Sequence, residues 1–184
     1  MKKKILVACL CVALAVLTIA GTTLAYLTAK TDDVVNTFTV GNINISLDET
    51  KGGTNKEFKM VPGCTIDKDP VVTVKVNSED CWLFVKVLKS TNLDEFITYT
   101  IANGWTALTG VDGVYYRGVD AATTDTSFNV LTGNQVTVKD TVTKPMMDAI
   151  TNGTTTKPTL TFTAYAIQKA GFTTAADAWA EVSK

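Results

Sequence analysis

The chain of 184 residues contains no histidine and only one arginine, Arg117, and it has just four prolines and four cysteines. Without histidine there is no HExxH helix, no Cys/His dyad and no Ser/His/Asp triad, and a zinc site would lack its commonest nitrogen ligand. A single arginine nearly excludes bidentate clamps on phosphate or carboxylate. The acid pairs Asp67 with Asp69 and Asp94 with Glu95 lie in no Asp-Thr-Gly or Asp-Ser-Gly setting and read as solvated turn charges. Asp32-Asp33, Asp48-Glu49 and Asp67-Lys-Asp69 could offer oxygen ligands to calcium, but their spacing matches no EF-hand loop. No catalytic residue, metal ligand or cofactor is therefore assigned, and the expectation is a protein that is not an enzyme.

What is present begins with an export layout. Lys2, Lys3 and Lys4 precede an apolar run from Ile5 to Ala20, and Thr23-Leu-Ala25 places small residues where a signal peptidase reads. Residues 1–25 are expected to be a signal helix cleaved between Ala25 and Tyr26, so the membrane is met only through this segment before cleavage. The competing reading is an uncleaved anchor, since Ile5 to Leu27 is just long enough to cross a hydrocarbon core of about 30 Å. Cleavage removes three of 17 basic residues and none of 18 acidic ones, leaving 14 against 18 and a net charge of −4. That balance argues against nucleic acid as a partner.

Residues 26–184 suffice for one domain with a substantial core. Threonine recurs beside Val, Ile, Phe and Tyr, a composition suited to a pleated surface. Strands are expected at 36–47, 70–77, 81–88, 96–101, 113–119, 128–131, 135–138 and 159–168. The 81–88 segment is apolar on both faces and should be central and covered. In the first strand Phe38 and Val40 share one parity and Ile43, Ile45 and Leu47 the other, so a common core would need a bulge near Gly41-Asn42. Thr174-Ala-Ala-Asp177 reads as a helix start, with Ala175, Ala178, Trp179 and Val182 as an apolar stripe over 174–182. A second short helix is expected at 145–150. The fold class is all-β: a two-sheet antiparallel sandwich, read as a jelly roll, with a short C-terminal helix.

Cys9 and Cys11 leave with the signal. Cys64 and Cys81 either stand as lone thiols or close a disulfide, whose loop of about 17 residues would stabilise by on the order of 3 kcal/mol.

The junction at Ala25-Tyr26, the strand Asn36-Thr-Phe-Thr-Val-Gly41 and Ile43-Asn-Ile-Ser-Leu-Asp-Glu49 resemble exported proteins of the TasA and camelysin family, processed by the SipW type of signal peptidase in Gram-positive bacteria. Val61-Pro-Gly63, Lys68-Asp-Pro70, the 81–87 strand and Ala164-Tyr-Ala-Ile-Gln-Lys-Ala-Gly-Phe172 with Ala178-Trp179 extend the likeness, while residues 92–157 match loosely. The resemblance implies a jelly-roll subunit secreted to the cell surface or biofilm matrix. Its fibres would form when the N-terminal strand of one copy, or of a paralogous subunit, completes the sheet of the next. In that scheme Phe38, Val40, Ile43, Ile45 and Leu47 form the assembly strand. A second class of function, a monomeric surface adhesin or carbohydrate-binding sandwich, would use aromatic platforms, for which Trp105, Tyr115 and Tyr116 are the candidates.

Overall fold

The computed structural model describes residues 40–50 and 57–184. The expected signal segment, the Ala25/Tyr26 junction and Phe38 lie outside the described residues. Among those described, the alternating β-branched and aromatic runs form ten strands: β1 (Ile45–Glu49), β2 (Thr65–Asp67), β3 (Pro70–Val74), β4 (Cys81–Lys89), β5 (Ile97–Thr98), β6 (Thr106–Ala107), β7 (Val114–Val119), β8 (Thr126–Asn129), β9 (Gln135–Val138) and β10 (Leu160–Gln168). Three short α-helices accompany them: α1 (Leu93–Phe96), α2 (Lys144–Thr151) and α3 (Ala175–Val182). All the pairing is antiparallel and falls into three sheets, ordered β1-β3-β8, β10-β4-β7-β6 and β2-β9-β5. The protein is all-β.

The first two sheets share one core. Val72 and Val74 of β3 meet Cys81, Leu83, Val85 and Val87 of β4, and Leu160, Phe162, Ala164 and Ala166 of β10 close over them. β4 is central and apolar on both faces because both are covered. On its outer side Phe84 is fully buried with Val114 under α3, where Ala175, Ala178 and Trp179 lie. Trp179 stands 5.3 Å from the Phe84 ring and 5.2 Å, edge on, from Tyr165. The Thr174 hydroxyl accepts from the Asp177 N–H at 3.2 Å and donates to its carboxylate at 2.7 Å, a reciprocal cap that fixes where α3 begins.

The third sheet was not anticipated. Its short strands surround a separate cluster of Leu93, Phe96, Val136 and Val138, closed by Met146, Met147 and Ile150 of α2. The chain enters this third sheet three times, for β2, β5 and β9, and passes directly between it and the first sheet after Asp67 and after Asn129. Phe96, expected in a strand, instead ends α1; only Ile97–Thr98 pairs, and Ile101 makes a single bridge to Leu131. Gly113 shows why the β7 entrance needs glycine. Its φ is +71°, its carbonyl accepts the Val87 N–H at 2.7 Å, and a Cβ there would stand 2.4 Å from the Val87 oxygen.

Candidate functional site

The first two sheets have two margins, and the one formed by β1 and β10 is the candidate site. Among the described residues β1 pairs only with β3, Ile45 opposite Val74 and Leu47 opposite Val72. The contact continues upstream: the Asn44 carbonyl accepts the Lys75 N–H at 2.8 Å, the Asn44 N–H donates to the buried Ser78 hydroxyl at 3.0 Å, and the Asn42 carbonyl accepts the Glu79 N–H at 2.9 Å. Ile43, Ile45 and Leu47 therefore pack on the core of their own chain. Val40 does not join them. It is 96 % exposed, so these four apolar residues share no common core face.

β10 is the longer edge. The Ser90 N–H donates to the Thr159 carbonyl and the Lys169 N–H to the Asp80 carbonyl, each at 2.9 Å. Antiparallel ladders alternate bonded and non-bonded pairs, so the odd-numbered residues of β10 bond to β4. The N–H and C=O groups of Leu160, Phe162, Ala164, Ala166 and Gln168 then point away from β4, and among the described residues they have no backbone partner. The same argument, from the Asn44 to Lys75 bond, turns the amides of Ile45, Leu47 and Glu49 outward on β1, which lies close to β10. β10 reads Leu-Thr-Phe-Thr-Ala-Tyr-Ala-Ile-Gln: no charge and no proline blunt this edge. Among the described residues only its Phe162 end is guarded. There the half-buried Lys68 ammonium pairs with Glu49 at 2.7 Å and lies 5.4 Å from the Phe162 ring.

The aromatic candidates separate. Trp105 is no platform: its indole is buried, with its N–H donated to the Asn129 carbonyl at 2.8 Å. Tyr115 and Tyr116 point to opposite faces of β7, and Tyr116 packs beside Trp82, 5.9 Å away edge on, and Phe84. Tyr115 alone faces a cavity, an open groove of about 570 Å³ shared with Tyr99, Lys89, Asp94 and Lys139. Burial first, then neighbouring Tyr115, raises the Tyr99 phenol above its ordinary pKa. Sequence reasoning missed Tyr99 and the lysines, because they come from three separate elements.

Cys64 and Cys81 are not joined. Cys64 is exposed just before β2, whereas Cys81 is fully buried between the first two sheets, and burial pushes its thiol up in pKa. Among the described residues no three Cys, Asp or Glu side chains gather as a metal site; Glu49 is committed to Lys68, and Asp69 accepts a short hydrogen bond from the Thr50 hydroxyl. No protein-family model matches the chain, and no curated protein or solved structure does either.

Proposed function

We propose that the protein is a secreted, non-enzymatic structural subunit of the cell surface or extracellular matrix, and that the N-terminal segment of one copy completes the sheet of the next. The observation that carries this reading is the outward edge of β10: nine residues long, uncharged, free of proline and without a backbone partner among the described residues. Such an edge is a template for strand addition, and main-chain hydrogen bonds would supply much of the affinity. Upstream of Asn42 the chain offers Asn36-Thr-Phe-Thr-Val40, an alternating segment that ends on an exposed valine. A SipW-type peptidase cutting at Ala25/Tyr26 would free that segment only on export, confining assembly to the outside of the cell. The pairing of β1 in its own chain narrows the donor to residues N-terminal of Asn42, with Ile43, Ile45 and Leu47 anchoring its root. A neighbouring copy or a paralogous subunit serves equally as acceptor, and the jelly-roll topology belongs to the same proposal.

The test compares residues 26–184 with residues 42–184 by negative-stain electron microscopy. The shorter protein keeps β1 and its whole core. Fibres from the longer protein alone support the reading; monomers from both, or fibres from both, overturn it. The adhesin alternative rests on the Tyr99 and Tyr115 groove, and pull-down by cell-wall polysaccharide that is lost in Tyr115→Ala would favour it.

A further inference from the structure

On the opposite margin Arg117, the only arginine in the chain, lies against two aromatic rings with no carboxylate beside it among the described residues. β7 places it opposite Leu83 of β4, and its side chain reaches toward β8. The guanidinium carbon lies 3.8 Å from the centre of the Phe128 ring and 5.4 Å from that of Trp105. Lys68, Lys75, Lys89, Lys144, Lys157, Lys169 and Lys184 each pair with a carboxylate. Arg117 has no ion pair and no hydrogen bond among the described residues, and its Nε is buried without a partner. Its desolvation is uncompensated and holds its pKa below the ordinary arginine value. Gly104 runs past Nη1 and Nη2 with φ +89°, and a Cβ there would come within 3.2 Å of Nη2. Gly104 thus packs against the guanidinium as no larger residue could, while Nη1 and Nη2, unlike Nε, are not buried atoms.

We propose that Arg117 binds a carboxylate, held by two parallel hydrogen bonds from Nη1 and Nη2. The stacked rings fix the plane of the fork, the buried Nε leaves one edge for an incoming ligand, and that edge matches the two oxygens of a carboxylate. A monoanion suits the site better than a dianion, because one cation neutralises it and the exported chain is itself net negative. The carboxylate could belong to a free acid such as a uronic acid, or to an Asp or Glu of a second copy. This inference stands apart from strand exchange, since it concerns the opposite margin.

The experiment is a nitrogen-15 NMR titration. With one arginine in the chain, the Nε–Hε resonance of Arg117 is assigned without ambiguity. Sodium glucuronate is added at constant ionic strength, with sodium chloride and methyl glucoside as controls, and a dilution series without ligand is run in parallel. A saturating shift with glucuronate alone supports the site and identifies a free acid. A shift that grows with protein concentration, and vanishes when glucuronate competes, supports it and identifies a second copy. In Arg117→Lys, followed by the Trp105 indole N–H, binding should weaken on the order of tenfold or more, because the charge stays and the fork is lost. Equal shifts with glucuronate and chloride, or none in either series, overturn the proposal.

Discussion

The two margins of the main pair of sheets are finished in opposite ways. At the margin formed by β8 and the β6–β7 pair, Trp105 is buried with its N–H bonded to Asn129, and Arg117 lies across Phe128, so aromatic and cationic side chains occupy the space between the sheets. At the β1 and β10 margin two strand edges turn their amides outward, and among the described residues only Lys68 stands guard, at one end. A sandwich can manage an exposed edge with charge, proline, short strands or cover. β10 uses none of the first three, which is the physical reason for assigning it cover from another strand.

The largest expected effect comes from opening the closed margin. Trp105→Ala removes a buried indole and leaves the Asn129 carbonyl without its donor, and it should cost about 3–5 kcal/mol in urea unfolding. A loss below roughly 1 kcal/mol would mean that Trp105 does not seal this side. The complementary change blunts the open margin. Ala164→Pro removes an N–H that β4 does not use, so the fold should persist while fibres from residues 26–184 disappear. Fibres that survive it would place the acceptor edge elsewhere.

The thiols report on the space between the sheets. In residues 26–184 one equivalent should react promptly with Ellman's reagent at neutral pH, from exposed Cys64, and the second only at the rate of unfolding. Two slow thiols, or none, would contradict the placement. Because burial raises the Cys81 pKa, the unfolded chain loses that proton first. Stability should thus fall as the pH rises through the ordinary thiol range and be fully present below it. The smallest effect lies off both margins: Thr174→Ala should cost about 1 kcal/mol through the lost cap of α3, with faster amide exchange confined to its first turn.

The well-packed centre was legible in the sequence and its borders were not. β4 announces itself by being apolar at both parities, β10 by strict alternation, β9 by the turn residues around it, and α3 by Thr174 three places before Asp177. In each case the signal lies within one segment. The third sheet escaped because β2 and β5 are three and two residues long, too short for periodicity to show, and because α1 ends on the apolar Phe96 where a strand seemed to begin. Trp105 looked exposed because it sits among turn residues; its burial depends on β8, 24 residues further along the chain. Arg117 gave no local signal at all, since its partners Trp105 and Phe128 lie on opposite sides of it in sequence and are brought together only by the fold. The outward parity of β10 became readable only once its bonds to β4 were known.

The most direct test of strand exchange traps the donor on its acceptor. Two proteins spanning residues 26–184, both with Cys64→Ser, carry Phe38→Cys in one and Ala164→Cys in the other; they are mixed under assembly conditions and treated with a short bismaleimide. The expected result is a covalent heterodimer that is absent when Asp177→Cys replaces Ala164→Cys. No heterodimer, together with an internal crosslink in a single chain carrying both Phe38→Cys and Ala164→Cys, would show that each chain covers its own β10 and would contradict assembly by exchange.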